Sequence, residues 1–144
     1  MEKIIQQKIS ADHLLYSSLK YTKTTDVILN LLFRWRSLID EGIEKILEKA
    51  KKSKKIKAIP TAPKLRIEKT QEISKSNEAV LKTIDLYKFL RQAEVAEKVR
   101  ENEFRKNVAL RVMYMGQWQI VDLEKLKEFN SVIENFVNYL KTLT

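Results

Sequence analysis

The stretch TTDVILNLLFRWRSLIDEGIEKILEKAKKS, Thr24 to Ser53, is the longest regularly patterned segment of the chain. Its apolar residues fall at Val27, Ile28, Leu31, Leu32, Trp35, Leu38, Ile39, Ile43, Ile46, Leu47 and Ala50. Steps of three and four place them in one stripe along a helix, which no strand reproduces. Thr24 or Thr25 caps the start, Asp26 sits where a helix N-terminus favours negative charge, and the lysines from Lys49 onward suit the C-terminal end. Leu29 and Phe33 add apolar surface on a flank of the stripe. The helix is therefore expected at the centre of a bundle or at a subunit interface built on Leu29, Phe33 and Trp35. Gly42 costs about 1 kcal/mol relative to alanine in mid-helix, so the reading requires a close helix crossing or a slight bend there.

Outward from this helix, the composition predicts a mainly α fold. Only two glycines and two prolines occur among 144 residues, too few for a turn-rich all-β domain. The length fits one helical-bundle domain, residues 1–144, large enough to bury a core without staples. There is no cysteine, which removes disulfides, thiolate catalysis and Cys-based zinc. The N-terminus lacks the apolar run of a signal peptide and no stretch of 18 apolar residues is long enough to span a membrane. The expectation is a cytoplasmic protein with no membrane partner. Abundant lysine and isoleucine fit thermophile usage or the base composition of a genome.

The net charge of +9 is uneven. Lys49, Lys51, Lys52, Lys54, Lys55 and Lys57 contribute six charges with no acid among them, leaving +3 elsewhere. Such a cluster, in a lysine-rich segment 49–62, binds phosphates through counterion release or is a solvated helix end. No aromatic residue is interleaved with it, so base stacking has no candidate there.

Before the central helix, Ala11, Leu14, Leu15, Ser18, Leu19 and Thr22 repeat at helical spacing, with Ser10 as cap and a hairpin turn near Tyr21 to Thr24. Glu2 to Ile9 extends this helix or forms an arm. After the lysines, Pro60-Thr61-Ala62-Pro63 reads as a helix stop and restart, with Thr61 a cap and Pro63 opening the next helix. The same four residues spell the late-domain tetrapeptide recruited by ESCRT machinery, a match short enough to arise by chance. A short helix over Lys64 to Ile73, a loop and cap at Ser74 to Asn77 and an amphipathic helix from Val80 to about Val99 follow, the charges from Glu94 to Lys106 forming its solvated end. Val108, Leu110, Val112 and Tyr114 then alternate, and Met115-Gly116-Gln117 offers a turn. This predicts a β-hairpin within 107–121, with strands Asn107 to Tyr114 and Gln117 to Val121, against a continuing helix. Asp122 caps a last helix carrying Leu126, Phe129, Ile133, Phe136, Val137, Leu140 and Leu143. The expected fold is thus a bundle of four principal helices with a small β-hairpin before the C-terminal helix.

Recognisable chemistry is absent. The chain has no Gly-x-Gly-x-x-Gly, Walker, Gly-x-Ser-x-Gly or His-Glu-x-x-His pattern, and its single histidine, His13, has no ligand or triad partner readable from spacing. No catalytic residue, metal ligand or cofactor site is assigned.

The hairpin Ser10-Ala11-Asp12-His13-Leu14-Leu15-Tyr16, Leu19-Lys20-Tyr21-Thr22 and the long helix after it resemble archaeal helical-bundle proteins and, distantly, HEPN-type domains over about the first 55 residues. The resemblance implies a dimerising bundle, in a family that includes ribonucleases and partners of small nucleotidyltransferases. Those ribonucleases carry an arginine four to six residues before a histidine, and no arginine precedes His13. The resemblance therefore implies a toxin–antitoxin or RNA-processing component lacking the ribonuclease motif. Three functions follow from the sequence: a non-catalytic module that self-associates as a dimer or binds a protein partner, a sequence-neutral RNA- or DNA-binding protein acting through the lysine cluster, and the HEPN-related component.

Overall fold

The computed structural model describes residues 1–143. Helix α1 (Glu2–His13) passes through a π-helical turn (Leu14–Ser18) into a short α2 (Leu19–Thr22). Ala11, Leu15 and Leu19, each four residues apart, are all buried. The wider π turn takes up the drift that a spacing of four would otherwise produce against a 3.6-residue repeat. Ser10 therefore lies inside a helix that starts at Glu2 and caps nothing, and Glu2 to Ile9 is docked rather than a free arm, with Ile4 in the core.

Lys23, in the left-handed conformation at φ 52°, turns the chain, and Thr24 caps the 28-residue α3 (Thr25–Lys52) by accepting from the Val27 N–H. Helix α3 touches every other helix and the sheet. Ile28, Leu31, Trp35, Leu38, Ile39 and Leu47 are fully buried along it. Gly42 marks a close crossing of α3 by the C-terminal helix: a Cβ there would lie 2.4 Å from the Phe136 ring and 2.9 Å from Leu140 Cδ1.

The loop after Ser53 runs back along α3 to α4 (Pro63–Ile73), which Pro63 opens, with Ala62 rather than Thr61 in the cap position. Asn77 caps α5 (Glu78–Val95). The chain then departs from expectation. Helix α5 stops at Val95, and Lys98–Glu101 forms a strand, β1, antiparallel to β2 (Ala109–Tyr114), which pairs with β3 (Gln117–Val121). The predicted hairpin is thus two-thirds of a three-stranded sheet. Its turn has positive φ at both Met115 and Gly116, the twist that suits a two-residue hairpin.

β1 inverts the usual alternation. Lys98 and Arg100 pair with Val112 and Leu110 on the core-facing side of the sheet, while Val99 faces out. Lys98 Nζ donates to the carbonyls of Ala93, Ala96 and Glu94 at 2.7, 3.0 and 3.3 Å, placing a cation where α5 leaves carbonyls unpaired. Helix α6 (Leu123–Lys141), capped by Asp122, closes the core, with Phe129 edge-on to Trp35 at 6.2 Å. A polar clasp ties it to α1: buried Asn130 donates to the Tyr16 hydroxyl at 3.1 Å and accepts from Lys8 at 3.4 Å.

Candidate nucleic-acid interface

The six lysines predicted to bind phosphate gather where α3 ends. Lys49, Lys51, Lys52, Lys54, Lys55 and Lys57 are all exposed. The helix stops in a Schellman arrangement: the Lys55 N–H donates to Ala50 O at 2.9 Å and the Lys54 N–H to Lys51 O at 3.0 Å, with Lys54 left-handed at φ 62°. Glycine is the residue that conformation favours, and lysine there costs about 1–2 kcal/mol. Ile56 and Ile59 pack on the core and pin the returning loop, so Lys57 between them, and Lys54 and Lys55 just before them, are presented from a tethered segment.

The charge extends past the predicted cluster. Residues 45–75 hold eleven cations, among them Lys45, Lys64, Arg66, Lys69 and Lys75, against Glu48, Glu68 and Glu72. This is +8 of the chain's +9. Arg66 is bound to Glu44 and Lys69 to Glu72 at 3.5 Å, and the other nine form no ion pair among the described residues. Leu143, just past the end of α6, lines an open depression together with Lys45, Glu48, Lys49 and Lys52.

The predicted subunit contact fares differently. Trp35 is wholly enclosed in the chain's own core, so it cannot meet a partner, whereas Phe33 is 53% exposed and Leu29 half-buried. His13 is exposed in the last turn of α1, and the described residues contain no group of His, Asp and Glu that could hold a metal. No helix is long and apolar enough to cross a membrane among these residues.

Two further features were not legible in the sequence. Asp40 on α3 accepts from the buried Tyr87 hydroxyl of α5, Arg91 reaches the same hydroxyl at 3.4 Å, and Arg36 joins Asp40 and Glu94 at 3.4 and 3.3 Å. Burial, then the bond to Asp40, raises the Tyr87 pKa above its ordinary value of 10.0. This network balances its own charges and reads as a helix clasp. An open groove of about 550 Å³ between α5, the β2–β3 hairpin and α6 is floored by Leu86, Phe89, Tyr114 and Phe129. Its rim cations Lys82 and Lys125 are paired with Glu78 and Glu128 at 3.1 and 3.3 Å, which leaves no cation free to recognise an anion.

No family model, curated protein or solved structure matches the chain.

Proposed function

We propose that the protein is a non-catalytic helical module that binds the phosphate backbone of nucleic acid through the basic end of α3, with little sequence preference. The observation that carries the reading is the surplus of cations over what the fold uses. A helix C-terminus interacts favourably with cations only within its last turn. Lys49, Lys51 and Lys52 occupy that turn, while Lys54, Lys55 and Lys57 lie beyond it. Lys54 moreover holds a backbone conformation in which glycine would serve the fold better. Unpaired, clustered and held on a tethered loop, these ammonium groups suit phosphates spaced along a strand, which position a protein without specifying sequence. A HEPN-like scaffold without the ribonuclease motif is compatible with such a role.

The test is fluorescence anisotropy of labelled RNA and DNA against salt. Changing Lys51, Lys52, Lys54 and Lys55 together to glutamine is expected to weaken binding strongly at low salt. The slope of log affinity against log salt should shrink by about 0.7–0.9 for each phosphate no longer neutralised. Unchanged affinity and slope in the quadruple variant would reject the assignment.

A second reading, self-association, is favoured by the exposed Phe33 ring beside Leu29. Light scattering decides it: a dimer that Phe33→Asp converts to monomer supports it, and a monomer unaffected by the change rejects it.

A further inference from the structure

The turn before α3 and the loop between β1 and β2 are far apart in sequence, yet they meet at the other end of α3. Here the Phe104 N–H donates to Lys23 O at 2.8 Å. Glu103 accepts from the Thr25 N–H at 3.2 Å and from the Thr25 hydroxyl, and Arg100 reaches Asp26 at 2.7 Å and Thr25 Oγ1 at 3.0 Å. Asn102 closes the loop on itself by donating to Asn107 O at 3.2 Å. The loop is thus fixed by side chains that leave its central residue bare.

That residue is Phe104, left-handed at φ 65° and 74% exposed, and Tyr21, two residues before the Lys23 that it bonds, is 79% exposed. A bulky side chain at positive φ is a genuine outlier, and such strain persists where surrounding contacts enforce it, commonly at sites of function. Neither ring belongs to the core or to its packed margin. Cations flank both: Lys20 and Lys23 beside Tyr21, Arg105 and Lys106 after Phe104. Lys20 sits 5.8 Å from the Tyr21 ring and Lys23 bonds the Lys20 carbonyl at 2.8 Å. None of the four has a carboxylate partner among the described residues. The acids at this end, Asp26, Glu101 and Glu103, are occupied by Arg100, Arg111 and Thr25.

We infer that Tyr21 and Phe104 form a stacking platform for the bases of single-stranded nucleic acid, with Lys20, Lys23, Arg105 and Lys106 holding the flanking phosphates. Exposed rings among cations that have no carboxylate partner are the combination that single-strand binders use, since every base offers a face and every nucleotide a charge. The inference rests on the nucleic-acid reading above and adds to it what the lysine cluster lacks, an aromatic surface and hence a preference for unpaired strands. At 1.5 Å per residue the 28 residues of α3 separate the two surfaces by about 40 Å, so one long strand can engage both.

The experiment compares Tyr21→Ala/Phe104→Gly with the wild-type protein on single strands of about 20 nucleotides and on a duplex of the same length, some strands carrying 2-aminopurine. Glycine suits the positive φ at position 104, so loss of the ring is separated from loss of the fold. Stacking worth about 1–3 kcal/mol per base corresponds to a weakening of about 5- to 150-fold for each ring engaged. Single-strand affinity is expected to fall by at least about tenfold, and the 2-aminopurine fluorescence change to disappear. Duplex affinity and the salt slope should stay as they were, because no charge is removed. Unchanged single-strand affinity in this variant, with binding abolished in the lysine quadruple variant, would overturn the platform and leave the basic end of α3 standing. Absence of binding to any strand at low salt would overturn both. Capture of anionic phospholipid vesicles by the two rings, without capture of oligonucleotides, would overturn the platform in favour of a membrane surface.

Discussion

Replacing Gly42 by alanine sets two effects of known sign against each other. In an exposed mid-helix position the change would stabilise the protein by about 1 kcal/mol, the difference in helix propensity. At this position the new methyl group would lie 2.4 and 2.5 Å from two carbons of the Phe136 ring and 2.9 Å from Leu140 Cδ1. Contacts below 3.0 Å are not sustained, so α3 and α6 must move apart or the ring must turn. Phe136 and Leu140 are both fully enclosed, which leaves no solvent-facing rotamer to escape into. Overpacking a core of this kind costs about 1–3 kcal/mol. With a clash this deep the cost is expected near the upper end, giving a net loss of about 1–2 kcal/mol. Thermal unfolding followed by circular dichroism should show a fall of about 2–8 °C, since 1 kcal/mol shifts a domain of about this size by roughly 2–4 °C. Phe136→Leu in the same chain should remove most of the difference between glycine and alanine, because the pair is in direct contact. An alanine variant that melts higher than the wild-type protein would refute the close crossing and with it the placement of α6.

Two other outcomes follow from single residues. Lys54→Gly relieves a left-handed lysine and should raise stability by about 1 kcal/mol, read as a higher denaturant midpoint at unchanged slope; a lower midpoint would contradict the Schellman end of α3. Tyr87 is held protonated by burial and by its bond to Asp40, so its pKa is higher folded than unfolded. Its contribution is fully present below pH 10, the ordinary value, and is lost as pH rises through the raised folded value. Denaturation between about pH 9 and pH 11.5 should therefore show an alkaline loss of stability that Tyr87→Phe reduces, and identical pH profiles would refute the clasp.

Where side chains obey the period of their element, the sequence is readable. The stripe of α3, the glycine that admits α6, the proline opening α4, the Asn77 and Asp122 caps and the β2–β3 turn all follow from local rules that the tertiary structure leaves intact. β1 is illegible because its core-facing positions carry Lys98 and Arg100, cations whose partners are the end of α5 and the start of α3. Four residues with a charged inner face look like a frayed helix until those partners are known. Trp35 misleads for a related reason: spacing places it on the apolar stripe and cannot say whether the chain itself or a second copy covers that stripe. Of the candidate site, the lysine cluster is visible as a run of like charge. The junction of Tyr21 and Phe104 is not, because a bond between Lys23 and Phe104, 81 positions apart, creates it.

The central claim, that the cations of residues 45–75 are a phosphate-binding surface, is tested most directly by one titration. Labelled RNA is titrated with the wild-type protein and with the Lys51, Lys52, Lys54 and Lys55 to glutamine variant across a range of salt. The account predicts binding that weakens steeply as salt rises, with both affinity and slope reduced in the variant. Absence of binding at low salt, or binding that the four substitutions leave untouched, would contradict it.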